Sequence, residues 1–263
     1  MGKVAMLYDA SKCTACRGCQ VACKQWNDLP GEKTFNPGSY ENPVDLSPVT
    51  YTRIRFREVE EGGQIKWLFL KWGCLHCTEA ACVKVCPTEA LKYHPMGFVS
   101  FEQDLCNGCG YCTQFCPFHI PRTETDVLTG KGKSSKCTMC QDRVTNGELP
   151  ACVKTCPPKA LDFGDFDAMV AKGQARVGAL RARGFPNANL WGDKFLGGLG
   201  RLYVLTEAPE KYGLPTKPSY PWVASIWQDW VQPLAEASFV VGIVATVVAW
   251  LIVRRNIRME EVQ

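Results

Sequence analysis

Sixteen cysteines in four runs of four are the feature that most constrains how this 263-residue chain can fold. No cysteine lies outside these runs, and the chain has only three histidines. The runs are Cys13, Cys16, Cys19 and Cys23; Cys74, Cys77, Cys82 and Cys86; Cys106, Cys109, Cys112 and Cys116; and Cys137, Cys140, Cys152 and Cys156. Such spacings are typical of metal or cluster ligands, so we expect the fold to converge on the sites that these thiolates bind.

The four runs read as an internal repeat. The first and third share the spacing C-x2-C-x2-C-x3-C, whereas the second and fourth have a longer middle gap. The segment "ACVKVCPTEALKY" at 81–93 recurs as "ACVKTCPPKALDF" at 151–163. This agreement beyond the cysteines indicates a duplicated unit.

The spacing C-x2-C-x2-C-x3-C, followed by proline, is typical of 4Fe–4S ligation in bacterial ferredoxins. Three thiolates bind one cubane cluster, and the fourth reaches the other cluster of the pair. Pro87, Pro117 and Pro157 follow the fourth cysteine in three runs and end the short helix that carries it. Lys24 stands at this place in the first run, which predicts a longer exit with a helix continuing through Trp26.

Zinc and disulfides are the alternative interpretations of these cysteines. Paired C-x2-C motifs also form tetrahedral zinc sites, but zinc leaves the third cysteine and the x3 spacing unexplained. Disulfides form in an oxidising compartment, but they do not require a ferredoxin spacing repeated four times. The pattern therefore favours iron bound through all sixteen cysteines.

The distances between runs predict how they pair. Runs two and three are separated by a short, strand-rich connection and form one ferredoxin-like unit, which leaves runs one and four to pair across it. Exchange of the fourth cysteine then predicts four 4Fe–4S clusters. Cluster one is bound by Cys13, Cys16, Cys19 and Cys156; cluster two by Cys23, Cys137, Cys140 and Cys152; cluster three by Cys74, Cys77, Cys82 and Cys116; and cluster four by Cys86, Cys106, Cys109 and Cys112.

Segments between and after the runs predict the remaining elements. Alternation across Tyr51–Trp72, broken by Gly62 and Gly63, predicts a β-hairpin, and the pattern from Asp165 to Gly184 predicts a helix. Residues 185–221 are rich in Gly and Pro and predict an irregular segment that wraps a partner or tethers the next helix.

The C-terminal stretch "LAEASFVVGIVATVVAWLIV" at 234–253 is long and apolar enough to predict a transmembrane helix. Trp222, Trp227 and Trp230 precede it, as in an interfacial aromatic belt, and Arg254, Arg255 and Arg258 follow it. The positive-inside rule places the tail in the cytoplasm and the cysteine-rich part on the other side. The first thirty residues show no signal-peptide pattern.

The expected fold class is α+β, with two ferredoxin-like 4Fe–4S units, the second nested in the sequence of the first, and one C-terminal transmembrane helix. The predicted boundaries are 1–31 and 125–164 for the first unit, 32–71 for the hairpin insertion, 72–124 for the second unit, 165–232 for a helical and irregular extension, 233–254 for the transmembrane helix and 255–263 for the cytoplasmic tail.

The sequence contains no motif for a substrate site of its own. It has no G-x-G-x-x-G fingerprint and no Walker loop, and the predicted clusters use every cysteine, so no catalytic residue is assigned. The net charge of +4 implies no polyanionic partner such as nucleic acid. A chain with several one-electron centres and no substrate motif is expected to relay electrons.

The chain resembles the iron–sulfur (beta) subunits of membrane-bound respiratory formate dehydrogenases, within the molybdopterin oxidoreductase family. The segments that carry the resemblance are "CTACRGCQVACKQWND", "GCLHCTEAACVKVCPTEAL", "CNGCGYCTQFCPFHIPR", "KCTMCQDRVTNGELPACVKTCPPKAL" and the C-terminal anchor. The iron–sulfur subunit of a membrane-bound nickel–iron hydrogenase, or of another molybdopterin oxidoreductase, is the alternative.

The resemblance implies a function in anaerobic respiration and a set of partners. A catalytic subunit with a molybdenum or tungsten pterin would oxidise formate, and this chain would pass the electrons to a membrane cytochrome b subunit and a quinone. The chain would be a single-pass inner-membrane protein, exported together with its catalytic partner.

Overall fold

The computed structural model describes residues 2–125 and 132–256. The chain has two compact units, Met1–Tyr220 and Pro221–Gln263. The first unit holds all sixteen cysteines, and the second is a single helical segment. Residues 257–263 of the predicted tail at 255–263 lie outside the described residues.

Ten strands are described, and they form one four-stranded sheet and three hairpins. The strands are β1 (Val4–Asp9), β2 (Thr52–Glu61), β3 (Gln64–Gly73), β4 (Leu91–Tyr93), β5 (Val99–Phe101), β6 (Arg122–Thr125), β7 (Gly132–Ser135), β8 (Leu161–Asp165), β9 (Asn189–Trp191) and β10 (Arg201–Leu205).

Six α-helices in the first unit and two in the second complete the described secondary structure, together with two short 3₁₀ turns and one π-helical segment. The α-helices are α1 (Gly18–Trp26), α2 (Ala81–Lys84), α3 (Tyr111–Gln114), α4 (Gln141–Thr145), α5 (Ala151–Lys154), α6 (Phe166–Ala182), α7 (Trp222–Ile226) and α8 (Gln232–Asn256).

The four-stranded sheet has the order β8-β1-β10-β9, with β1 parallel to β10 and antiparallel to β8. Because successive side chains of a strand point to opposite faces, the sheet divides two apolar clusters. Ala5 and Leu7 pack with α6, while Met6 and Tyr8 pack in the core that includes at least one cysteine from each of the four runs. The sheet therefore separates the α6 layer from the cysteine-rich layer.

The irregular segment predicted at 185–221 is corrected in part. It contributes two strands to the sheet, and all five residues of β10 are buried. The run "RLYVL" shows no polar–apolar alternation, because both faces of β10 are covered. Without alternation, a short apolar run cannot be identified as a strand from the sequence alone. The strand β1 was not predicted either.

The predicted hairpin is confirmed. The strands β2 and β3 pair antiparallel from Thr52 opposite Gly73 to Glu61 opposite Gln64. Gly62 and Gly63 form the two-residue turn with φ of 59° and 75°. Two positive φ values are what a turn of this length needs to match the twist of its strands.

The predicted helix after the fourth run is also confirmed, as α6. Its N-cap is Asp165, whose carboxylate accepts hydrogen bonds from the N–H groups of Asp167 and Ala168 at 3.0 and 3.2 Å. Gly184, with φ of 91°, follows the C-terminus. An aspartate at the N-cap and a glycine beyond the end are common helix boundaries.

The second unit is one continuous helical segment, in which residues 227–231 form a π-helical turn between α7 and α8. The span Trp222–Arg255 is long and apolar enough to cross a membrane, with a mean hydropathy of 2.2 in its best window. The predicted helix at 233–254 lies within it. Arg254 lies over the ring of Trp250 at the C-terminal end.

Candidate metal centres

All four cysteine runs begin with the same backbone turn. The second residue after the first cysteine has positive φ in each run, at Ala15, His76, Gly108 and Met139. In three of the runs its N–H donates to the first cysteine's Sγ at 3.4 Å, and in the second run the backbone of His76 makes the corresponding contact with Cys74. Such turns aim amide dipoles at the sulfur and favour an anionic guest.

Each run continues into a helix that carries its third cysteine, and three runs then end in a tight turn. Beyond the fourth cysteine and its proline, Glu89, His119 and Lys159 have φ between 48° and 53°. The first run differs, because Cys23 lies inside α1, which continues to Trp26. The longer exit predicted from Lys24 is thus present, and the Lys24 Nζ binds the Val49 carbonyl at 2.8 Å.

The first and fourth runs lie together. Cys23 is surrounded by Cys137, Cys140 and Cys152, and burial together with these thiols raises the pKa of Cys23 well above its usual value. Cys156 lies beside the first three cysteines of run one. The Trp26 indole N–H also donates to Asp142 at 2.9 Å, and Arg143 lies 4.2 Å from the ring centre of Trp26, so α1 is held against α4.

The second and third runs lie together in the same way. Burial raises the pKa of Cys77 well above its usual value, and the neighbouring thiols that add to this rise are those of Cys74, Cys82 and Cys116. Burial likewise raises the pKa of Cys112, and its neighbouring thiols are those of Cys109, Cys106 and Cys86. These neighbours are the ones that the spacing predicts for the third and fourth sets, and the assignment of all sixteen cysteines to four sets stays a prediction.

Thiols of neighbouring sets are close enough to influence one another electrostatically. Cys19 of the first set interacts with Cys152 of the second, and Cys137 of the second with Cys74 of the third. Cys82 of the third set interacts with Cys112 of the fourth. These influences are consistent with a relay that runs from the first set to the fourth.

Two of the predicted sets each line a cavity. The cavity of the first set is lined by Cys13, Cys16, Cys19 and Cys156, and that of the fourth by Cys86, Cys106, Cys109 and Cys112. In each cavity the four cysteines predicted for one cluster face the same space.

The cysteine sets are too open for a single metal ion. Within residues 2–125 and 132–256, no three His, Cys, Asp or Glu side chains converge closely enough to ligate one ion. Zinc requires four ligands, with sulfur about 2.3 Å from the metal. All sixteen thiols are free of disulfides. The geometry thus fits a larger inorganic core held at its corners better than it fits zinc.

Three buried cations lie among the cysteine sets, and sequence reasoning missed them. Lys71 and Lys136 are 1% and 3% exposed, and Arg201 is fully buried, with its Nη2 4.0 Å from the Sγ of Cys137. His76 is fully buried, and its pKa is lowered well below its usual value by burial and by the charges of all three cations. Buried charge needs an opposite charge nearby, and an anionic cluster would supply it.

Comparison with known proteins defines the class first. Residues 12–90 and residues 65–166 each match a family model described as a 4Fe-4S dicluster domain. The two matches together contain all four cysteine runs. The cysteine-rich part of the chain is therefore built from ferredoxin-type dicluster domains that bind 4Fe–4S clusters.

Curated relatives then define the family. The nitrate-inducible formate dehydrogenase iron–sulfur subunit of Escherichia coli is 43% identical over 242 residues, which cover 90% of this chain and 81% of the relative. The formate dehydrogenase iron–sulfur subunit of Haemophilus influenzae is 41% identical over 97% of this chain and 82% of its own length. The chain belongs to the family of formate dehydrogenase iron–sulfur subunits, whose role is electron transfer.

Proposed function

We propose that this chain carries four 4Fe–4S clusters and relays electrons from a formate-oxidising molybdenum or tungsten pterin subunit to a membrane cytochrome b partner and a quinone. The observation that carries the proposal is that cysteines from different runs lie together, most clearly in two cavities that are each lined by four cysteines. Each bound cluster would supply a one-electron site. The protein holds the sulfur ligands, buries half of them and fixes the distances between neighbouring sites.

The proposed ligands are four per cluster, as the spacing predicts. They are Cys13, Cys16, Cys19 and Cys156 for cluster one; Cys23, Cys137, Cys140 and Cys152 for cluster two; Cys74, Cys77, Cys82 and Cys116 for cluster three; and Cys86, Cys106, Cys109 and Cys112 for cluster four. On this assignment the unit of residues 72–124 is nested within the unit of residues 1–31 and 125–164.

The apolar helix is proposed to anchor the chain in the inner membrane. Its length and hydropathy suit one crossing, tryptophans lie near its start, and Arg254 and Arg255 lie at its end. On this proposal residues 255–263 are cytoplasmic, and the cysteine-rich unit is on the outer side, exported with its catalytic partner.

The function is tested by purifying the chain in detergent with its native partners. We expect a large pterin-containing subunit to copurify and membranes to reduce a dye with formate as the electron donor. Copurification with a nickel–iron hydrogenase, and dye reduction by hydrogen alone, would assign the chain to the alternative complex. Metal analysis that finds zinc in place of iron, together with no visible absorbance from iron–sulfur clusters, would reject the cluster proposal itself.

The exchange of ligands between runs is tested at Cys23. A Cys23→Ser change is expected to damage cluster two first, because Cys23 lies among Cys137, Cys140 and Cys152. The measurement is iron content with electron paramagnetic resonance (EPR) of the reduced complex. Cys16→Ser is the matched control in the same run and is expected to affect cluster one. Loss confined to cluster one in both variants would show that the pairing is wrong.

A further inference from the structure

The three buried cations have no carboxylate partners. Among the residues that the structure describes, no carboxylate oxygen lies within 4.0 Å of the side-chain nitrogens of Lys71, Lys136 or Arg201. By contrast, the buried Arg53 and Arg143 pair with Glu41 and Glu148. Leaving a buried charge unpaired is costly. These three positions must therefore be compensated by something other than side-chain carboxylates.

The nearest groups that can carry negative charge are the cysteine sets. The charge of Lys71 acts on Cys19 and Cys23, which belong to the first and second sets. The Arg201 guanidinium lies 4.0 Å from Cys137 Sγ of the second set and also acts on Cys74 of the third. Two of its nitrogens, Nε and Nη1, have no hydrogen-bond partner.

Lys136 is the buried cation nearest to the third set. Its Nζ donates to the carbonyl oxygens of Val99 and Cys137 at 2.8 and 3.0 Å, and its charge acts on Cys74 and Cys82. The hydrogen bonds fix the ammonium in position without neutralising it. The first three sets are thus each in reach of at least one buried cation.

The fourth set is surrounded differently. Ser134 supplies its polar contacts, through a hydroxyl 3.1 Å from Cys112 Sγ and an N–H 3.4 Å from Cys106 Sγ. Lys133 on the same strand is turned away and binds the carbonyls of Gln103 and Asp104. In the described part of the chain, the buried Lys and Arg residues that lack a carboxylate partner are all at the other three sets.

We propose that Lys71, Lys136 and Arg201 form a fixed positive core that holds clusters two and three at a higher reduction potential than cluster four. The inference rests on the proposed function, because it requires clusters at these sets. Reduction adds negative charge to a cluster, and a buried cation attracts that charge more strongly than it would through water, because the interior has a lower dielectric constant. Cluster potentials depend on such local charge and on hydrogen bonds to sulfur. Electrons therefore collect in the middle of the relay.

The first test needs no change to the core. The native detergent-solubilised complex is titrated with reductant, and the EPR signals of its clusters are followed against potential. We expect cluster four to be reduced last. A Cys109→Ser variant identifies its signal, because Cys109 is an exposed cysteine of the fourth set. Reduction of cluster four before clusters two and three would overturn the inference. Absence of any cluster signal would instead overturn the proposed function.

The second test removes one charge from the core. Lys136→Met is expected to make reduction of cluster three at least tenfold less favourable at fixed potential, a shift of about 59 mV for one electron. Cluster four should be unchanged, and Lys136→Arg should restore the parental value. Lys92→Met is the matched control. Lys92 lies on β4, which pairs with the strand that contains Val99, but its side chain is 42% exposed and its charge is therefore screened by water.

Iron content distinguishes a change of potential from a loss of cluster. A Lys136→Met complex with parental iron content and unchanged potentials overturns the proposal, as does an equal shift of every cluster. If this variant loses iron, Lys71→Met replaces it, with the expected shift at clusters one and two and the same two overturning outcomes.

Discussion

Gly108 and Gly110 are two residues apart in the third run, and both have positive φ, yet their surroundings differ. A methyl group at Gly108 would come within 2.3 Å of the Gly132 carbonyl oxygen, whereas one at Gly110 would meet no atom within 4 Å. Positive φ itself is tolerated at the position of Gly108, because Ala15, His76 and Met139 adopt it in the other runs. What Gly108 provides is the close approach of β7.

We therefore predict that Gly108→Ala lowers stability and the iron content of cluster four, while Gly110→Ala retains the iron. Both changes carry a backbone cost of about 1–2 kcal/mol, and overpacking against β7 adds about 1–3 kcal/mol at Gly108 alone. The measurement is iron per protein together with the midpoint temperature at which visible absorbance is lost. Equal iron loss in the two variants would contradict the role given to the β7 contact.

At this scale the cysteine runs could be recognised as cluster ligands from the sequence, and the buried cations could not be predicted. Ligand spacing is a local property that a run of sequence displays directly. The burial of Arg201 depends instead on the pairing of β10 with β1, and that of Lys71 on its place near the end of β3. A lysine or arginine is almost always exposed, so its sequence context alone suggested solvent.

The helix α6 shows at the scale of an element how contact with the sheet overrides helix propensity. Its buried stripe includes Met169, Gly173, Val177 and Leu180. A methyl group at Gly173 would come within 2.7 Å of the Leu190 side chain, whereas at the exposed Gly178 it would meet no atom within 4 Å. Gly173 thus lets the helix lie close to β9.

We predict that Gly178→Ala stabilises the protein by about 0.5–1 kcal/mol, the usual gain of alanine over glycine within a helix. Gly173→Ala is expected to be at least about 1 kcal/mol less stable than Gly178→Ala, because Leu190 must move. At about 2–4 °C per kcal/mol for a chain of this size, thermal unfolding resolves the difference. Equal midpoints would show that Leu190 yields without cost.

Elements with a local period could be predicted, and strands buried on both faces could not. The hairpin β2–β3 alternates and has a Gly-Gly turn, and α6 has an aspartate cap, so each carries its own signal. The strands β1 and β10 are parallel neighbours separated by almost two hundred residues, and their apolar runs lack alternation. Parallel pairing leaves no turn between the strands to mark them.

The whole molecule combines a cysteine-rich unit with a separate apolar helix, and the proposed topology follows from charge. We predict that a fluorescent protein fused to the C-terminus folds in the cytoplasm, whereas a periplasmic phosphatase fused there stays inactive. The reason is that Arg254 and Arg255 directly follow the apolar span. Replacing both arginines by glutamine is expected to weaken this preference, and an active phosphatase fusion on the unchanged chain would contradict the topology.

The parallel pairing of β1 with β10 also has a consequence for synthesis. The strand β1 precedes the first cysteine run, and its central neighbour β10 follows the last one by about forty-five residues. Until the ribosome has added residues 201–205, the edge of β1 that pairs with β10 has no partner. The sheet next to the first cysteine run is incomplete during this time. Contacts between such distant parts of a chain form slowly. The sheet therefore cannot be completed until all sixteen cysteines have been synthesised.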